Sequence, residues 1–301
     1  MKNSSAALLV TILIIFLLFS VLIAGCTGNS GSSKVSTTTI ENPVKAASAK
    51  ASASGNVISI AGSTTVLPIA ALVAEEYMDI NPDLDIQVNG GGSGAGVQSA
   101  GTGTAMIGMA SRDLKDEEKQ KYPELVEHQI AIDGIAIITH SSNPIPSLTI
   151  EQIKKIYDGT TVNWKDVGGE NAAIVVVGRD SASGTREFFY TDVMNKEDFV
   201  STQLEKNSNG AVKQTVSQTK TAIGYVGLGY VDETIHVVPL SVDGERISPG
   251  IETVKAGTYP IARSLLFLTK GQPSVQVANF FEFLKGPKGK QIIIEEGFIP
   301  L

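Results

Sequence analysis

Arg179, Ser181, Ser183 and Thr185 put a guanidinium fork and three hydroxyls within seven residues, a set of donors suited to an oxyanion. The apolar run 174–177 and Gly178 precede them and a helically periodic segment follows, so the stretch reads as strand, turn and helix start. A helix start leaves backbone N–H groups unpaired, and together with the hydroxyls these would hold a tetrahedral anion. The same residue types also make an ordinary N-cap that needs no ligand. Two more junctions of this kind occur earlier, at 61–66 with Ser63 and Thr64 and at 90–96 with Ser93, which is expected to cap a helix through 97–100. Three helix starts could thus converge on one anion.

Further candidates stand at strand ends. Ser111 and Arg112 follow the apolar strand 105–110, and in parallel α/β sheets ligands gather at the carboxyl ends of strands; taken alone, a surface turn with a helix cap before the helix 115–121 fits them better. Asp133 interrupts the long apolar run 126–139 and needs a partner, either structural backbone N–H groups or the site itself.

Other chemistries lack their residues. The glycine run 90–96 has neither the G-x-G-x-x-G spacing nor a following Lys-Ser/Thr. Ser183-Gly184 lacks the G-x-S-x-G elbow, and His128, His140 and His236 form no H-E-x-x-H. No nucleophile sits beside a base and no metal cluster is visible, so no enzyme activity, cofactor or metal is expected. With 31 acidic against 24 basic residues and no Lys/Arg-rich stripe, nucleic acid is not an expected partner. Net negative charge does not forbid an anion site, because local dipoles and one or two arginines outweigh distant, screened surface charge.

The supporting elements divide the chain. Lys2 and the apolar run through residue 24 read as a signal segment or an uncleaved anchor. Small residues before Cys26, the single cysteine, resemble a lipobox, where cleavage after residue 25 exposes a cysteine for acylation, palmitate included. Residues 26–55 are rich in Ser, Thr, Ala and Gly without apolar periodicity and read as a disordered tether. The body beyond it alternates strands and helices, an α/β class. The long strand at 126–139 reads as leaving one lobe, and the extended run 235–240 as returning to it. This gives a discontinuous lobe, 56–138 with 240–301, around a continuous one, 139–239, with a ligand cleft between them that hinge motion can close.

Six motifs in order then carry a resemblance: Ala-Gly-Ser63-Thr64-Thr65-Val, Gly-Gly-Gly-Ser93-Gly-Ala-Gly, Met-Ala-Ser111-Arg112, Asp158-Gly-Thr-Thr-Val-Asn-Trp164, Gly-Arg179-Asp-Ser-Ala-Ser183-Gly184-Thr185-Arg-Glu and Gly257-Thr-Tyr-Pro-Ile-Ala-Arg263. Across the body from Val57 onward the chain resembles the phosphate-binding lipoproteins of phosphate ABC transporters. The resemblance implies a periplasmic-binding-protein-like fold of type II, two α/β lobes joined by two crossing strands. It also implies phosphate buried in the cleft and delivery of the loaded protein to ABC permease subunits, at the extracytoplasmic face of the membrane through the lipid anchor. By motif, Ser63, Thr64, Ser93, Arg179, Ser183, Gly184 and Thr185 match phosphate contacts.

One position departs from the pattern. Well-known members carry an Asp after the serine of the third motif, accepting the proton of hydrogen phosphate, and this chain has Arg112. The expectation is that Asp133 supplies the acceptor, with Asp113 in reserve, while Arg112 adds positive charge. The departure keeps another oxyanion, sulfate or molybdate, open as ligand; an extracellular phosphatase is the reading from a different class.

Overall fold

The computed structural model describes residues 56–301; the apolar segment, Cys26 and the tether fall outside the described residues. Three strand–helix units open the body: β1 (Val57–Gly62) with α1 (Leu67–Ile80), β2 (Asp85–Gly90) with α2 (Ser93–Thr102), and β3 (Ile107–Ala110) with α3 (Asp116–Lys121). β1 pairs in parallel with both β2 and β3, so the starts of α1, α2 and α3 emerge at one end of the sheet.

β4 (Leu125–His140) follows as a 16-residue strand, the long extended run expected at 126–139. Then come α4 (Ile150–Tyr157), β5 (Val175–Arg179), α5 (Gly184–Asp192), β6 (Leu204–Lys206), α6 (Asn209–Gln218), β7 (Ala222–Gly227) and β8 (Ile235–Val238). The chain closes with β9 (Leu240–Val242), β10 (Glu245–Ile247), α7 (Ile251–Lys255), β11 (Ala262–Lys270), α8 (Val275–Lys285), α9 (Pro287–Glu295) and β12 (Ile299–Pro300).

The strands run in the order β2-β1-β3-β11-β4-β7-β5-β6. β4 carries both halves of this path. Its first part, through Gly134, pairs antiparallel with β11, and its last part, from Ile135, with β7. β8 lies against the final residues of β4, from Ile137 to His140. Residue 138, the expected lobe boundary, therefore falls inside a strand.

The apolar packing follows the same division. Ile58, Ile60, Ile69, Val73, Phe267 and Phe280 are buried together with Ile130 and Ala131 of β4, whereas Ile135 to Ile138 join Tyr157, Trp164, Phe189 and Tyr225. Phe189 stacks on Tyr225 with ring centroids 4.2 Å apart, and Tyr157 meets Phe189 at 4.8 Å. Such aromatic pairs contribute about 1 kcal/mol each beyond area burial. Here they clamp α5 against β7 and so fix the turn between β5 and α5.

Candidate functional site

Arg179 ends β5 with 1% exposure. Its backbone N–H donates to the Tyr225 hydroxyl at 3.2 Å, Nε donates to the Lys206 carbonyl at 3.1 Å and Nη2 to the Asn207 carbonyl at 3.3 Å. Among the described residues no carboxylate pairs with it. Burial pulls its pKa below its ordinary value, because the charge is held away from water. An unmatched interior guanidinium costs several kcal/mol, which marks this as a place for a counter-charge.

The turn after Arg179 delivers the start of α5. Ser183 is the N-cap, its Oγ accepting the Arg186 N–H at 3.2 Å, so the expected helix start forms here. Gly184 and Thr185 follow as the first helical residues. A side chain at Gly184 would collide with Ser93 Oγ and come within 2.8 Å of Ser111 Oγ, so the absence of one lets α5 dock on the start of α2.

Ser93 is buried but does not cap α2. The N-cap is Gly92, at φ 91°, and its Cα passes so close to the β5–α5 turn that a Cβ there would lie 2.5 Å from the Ala182 carbonyl. Ser93 becomes the first helical residue, and its Oγ instead accepts the Ser111 N–H at 3.0 Å. Gly94 N–H donates to the Ala182 carbonyl at 3.0 Å. The second and third of the three helix starts are thus in contact.

The first helix start completes the cluster. Ser63, Thr64 and Thr65 are all buried in the β1–α1 turn. Ser63 Oγ accepts the N–H groups of Thr65 and Val66 at 3.2 and 3.4 Å, which occupies both lone pairs and leaves its hydrogen to be donated. Thr65 Oγ1 lies 3.2 Å from Thr185 Oγ1, and the Tyr230 hydroxyl donates to the Thr64 carbonyl at 2.5 Å. Burial pushes the Tyr230 pKa up to about 12, so it acts as a neutral donor. All three junctions singled out in the sequence therefore meet.

Two sequence-predicted charges are placed differently from expectation. Arg112 turns onto α3, where Nη1 and Nη2 both reach the Glu118 carboxylate at 2.7 Å and Nη1 also donates to the Asp113 carbonyl at 2.8 Å. Its charge is matched locally and adds no free positive charge to the cluster. Asp133 is fully buried: Oδ2 accepts from Arg263 Nε at 3.1 Å and Nη2 at 2.8 Å, and Oδ1 accepts the Leu228 N–H at 3.0 Å. Burial pushes the Asp133 carboxyl above its ordinary range and Arg263 below its own, each opposed by the other as counter-ion.

Arg263, on β11, is the cation the residue-by-residue reading missed, although it closes the last of the quoted motifs. Nη2 also reaches Thr65 and Thr185 at 3.1 Å each, while Nη1 is buried without a protein partner among the described residues. Arg179 and Arg263 are close enough to repel one another. Against the single carboxylate of Asp133 they leave one positive charge unmatched beside three helix N-termini. Thr65 and Asn209, the latter reaching both Thr64 and Thr65, were likewise not singled out from sequence. The histidines lie elsewhere: His128 by Thr269, His140 by Ser142 and His236 by the Ile145 carbonyl.

The Arg112–Glu118 pair yields a first prediction. Burial raises the Glu118 pKa, but the hydrogen bonds and charge of Arg112, with the Lys115 N–H, more than offset this and hold it below 4.5. A depressed carboxyl contributes stability above its unfolded value that is lost as pH falls through its folded one. Glu118→Gln is expected to lower the melting temperature at pH 7 by about 5 °C, for about 2 kcal/mol. In thermal scans from pH 7 to 3 the difference should narrow below pH 4.5; a constant difference would show that the charge of Glu118 is not what stabilises.

The PBP superfamily domain matches residues 37–288. The phosphate-binding protein PstS of Bacillus subtilis is 32% identical over 291 residues, covering 96% of this chain and 93% of that protein. PstS of Pseudomonas aeruginosa is 31% identical over 271 residues, with 82% and 84% covered. Among solved structures, a substrate-binding protein from Clostridium perfringens, of phosphate ABC transporter type and with bound phosphate, has a TM-score of 0.77 at 39% identity, covering 82% of this chain and all of that one. An ABC-type phosphate transport receptor from Vibrio cholerae has a TM-score of 0.67 at 35% identity, with 81% of this chain covered.

Proposed function

Because the chain belongs to the PBP superfamily, and within it to the PstS phosphate-binding proteins, we propose that its buried cluster holds inorganic phosphate for delivery to an ABC importer. The observation that carries this is the unmatched charge of Arg179 and Arg263 set among three helix starts. A phosphate dianion supplies the missing negative charge and accepts from the free donors, Ser63 Oγ, Thr185 Oγ1 and Arg263 Nη1. Charge-assisted hydrogen bonds contribute about 1.5 to 3 kcal/mol each, so several of them offset dehydration and leave the ~8 kcal/mol of micromolar binding. No covalent bond changes, and the role is that of a receptor and not of an enzyme.

In this reading Ser63, Thr64, Ser93, Ser111, Arg179, Ser183, Gly184 and Thr185 surround the anion, joined by Thr65 and Arg263. Asp133 acts behind Arg263. The body works as two lobes that meet along β4, where its partner changes from β11 to β7 after Gly134, closing on the ligand, with phosphate bridging the β1–α1, α2 and α5 starts. Residues 1–25 are a lipoprotein signal peptide, Cys26 carries the lipid, and 26–55 tether the receptor to the outer face of the cell membrane near its permease.

Isothermal titration of the purified protein, first stripped of anion, against phosphate, arsenate and sulfate tests the ligand. Micromolar or tighter phosphate binding, with arsenate close behind and sulfate weaker, is the expected result. Saturable heat with sulfate and none with phosphate would assign another oxyanion instead.

A further inference from the structure

Asn209 is fully buried in the first turn of α6, and its neighbours fix its amide orientation. Oδ1 accepts the Gly227 N–H at 3.3 Å, which turns Nδ2 toward Thr64 Oγ1 at 3.1 Å and Thr65 Oγ1 at 3.0 Å. An amide nitrogen only donates, so both threonine oxygens accept. Arg263 Nη2 gives one hydrogen to Asp133 and shares the other between Thr65 and Thr185. Both lone pairs of Thr65 Oγ1 are then occupied, and its own hydrogen must go to Thr185 Oγ1, 3.2 Å away. Thr185 Oγ1 in turn accepts from Thr65 and from Arg263. Its O–H has no protein acceptor among the described residues, so at the start of α5 it can only donate outward.

We propose that Asn209 is a positioning residue of the anion site, acting through the Thr65–Thr185 hydroxyl pair to make Thr185 an obligate donor to a ligand oxygen. The inference rests on the phosphate reading and adds a specificity to it: at this corner the site takes a deprotonated oxygen and disfavours a P–O–H. Without Asn209 a lone pair of Thr65 is freed. The hydroxyl pair can then reverse, with Thr185 donating to Thr65 and turning a lone pair on the anion.

The test is a double-mutant cycle read by isothermal titration of phosphate: wild type, Asn209→Asp, Thr185→Val and the two combined. Asn209→Asp keeps an oxygen for the Gly227 N–H but cannot donate at pH 7. Each single variant is expected to weaken phosphate at least thirtyfold, and the double variant to lie within threefold of Thr185→Val. Losses that multiply, as simple repulsion by the new carboxylate or a merely structural role would produce, overturn the proposal, and so does affinity retained in Asn209→Asp. Thermal melting confirms folding, and Asn209→Ala carries the same cycle if the Asp variant does not fold. Wild type that takes up no phosphate overturns the functional reading and this proposal together, whereas additive losses around a wild type that binds overturn the proposal alone.

Discussion

Replacing Arg179 by alanine is expected to weaken phosphate binding at least a thousandfold while leaving the ligand-free fold as stable as wild type or more so. The two halves of this expectation have separate causes. Arg179 is held by the Lys206 and Asn207 carbonyls, neutral acceptors that position the guanidinium without cancelling its charge. An anion in the cluster thus meets a pre-oriented cation in a low-dielectric setting, where two charge-assisted hydrogen bonds at about 2 kcal/mol each account for roughly a thousandfold. The ligand-free protein loses only a buried charge with no counter-ion, and removing it relieves desolvation that offsets the lost packing and backbone hydrogen bonds. Calorimetric titration and thermal melting with and without phosphate read the two effects together. Expected are an unchanged or raised melting temperature without ligand and no rise on adding phosphate. Affinity within tenfold of wild type would place the anion elsewhere.

The β5–α5 junction was legible because every determinant is local: an apolar run, Gly178, then Ser183 at the cap and a periodic segment behind it. The cap at Ser93 was misplaced by one residue for the opposite reason. What bars a side chain at Gly92 is the approach of Ala182, ninety positions away in sequence and invisible to a reading of 90–96 alone. The same holds for the site's charges. That Asp133 needed a partner follows from its apolar surroundings, but the partner, Arg263, becomes adjacent only because β11 pairs with β4. Asn209 reaches Thr64 and Thr65 through the packing of α6, which no spacing in the sequence encodes.

Two further features are legible from local sequence alone. Asp243-Gly244 between short extended runs is a hairpin signal, and the pair does turn β9 into β10, with φ 50° at Asp243 and 86° at Gly244. Glu118 sits six residues from Arg112, at the third position of an acid-rich helix, so a partner for that arginine was at hand without invoking the ligand. Local charge pairing should be exhausted before a lone cation is assigned to a site.

Asp133→Asn is expected to lower the ligand-free melting temperature by about 10 °C and to enlarge the rise that phosphate produces. The variant keeps the shape of the side chain and an oxygen for the Leu228 N–H, but it leaves the Arg263 guanidinium without its counter-ion at 1% side-chain exposure. Removing one partner of a buried pair costs about 3 to 5 kcal/mol, which for a body of this size corresponds to roughly 10 °C. In the proposed complex a phosphate dianion stands beside Arg179 and Arg263, so part of that loss is recovered only when ligand is bound. Differential scanning calorimetry at zero and saturating phosphate separates this from the role expected for Asp133 from sequence, that of acceptor for the proton of hydrogen phosphate. In that role the carboxylate contributes mainly in the complex, the phosphate-induced rise would shrink, and sulfate would gain relative to phosphate. A larger rise makes Asp133 the residue that holds Arg263 in place; a smaller one, with improved sulfate binding, makes it the proton acceptor.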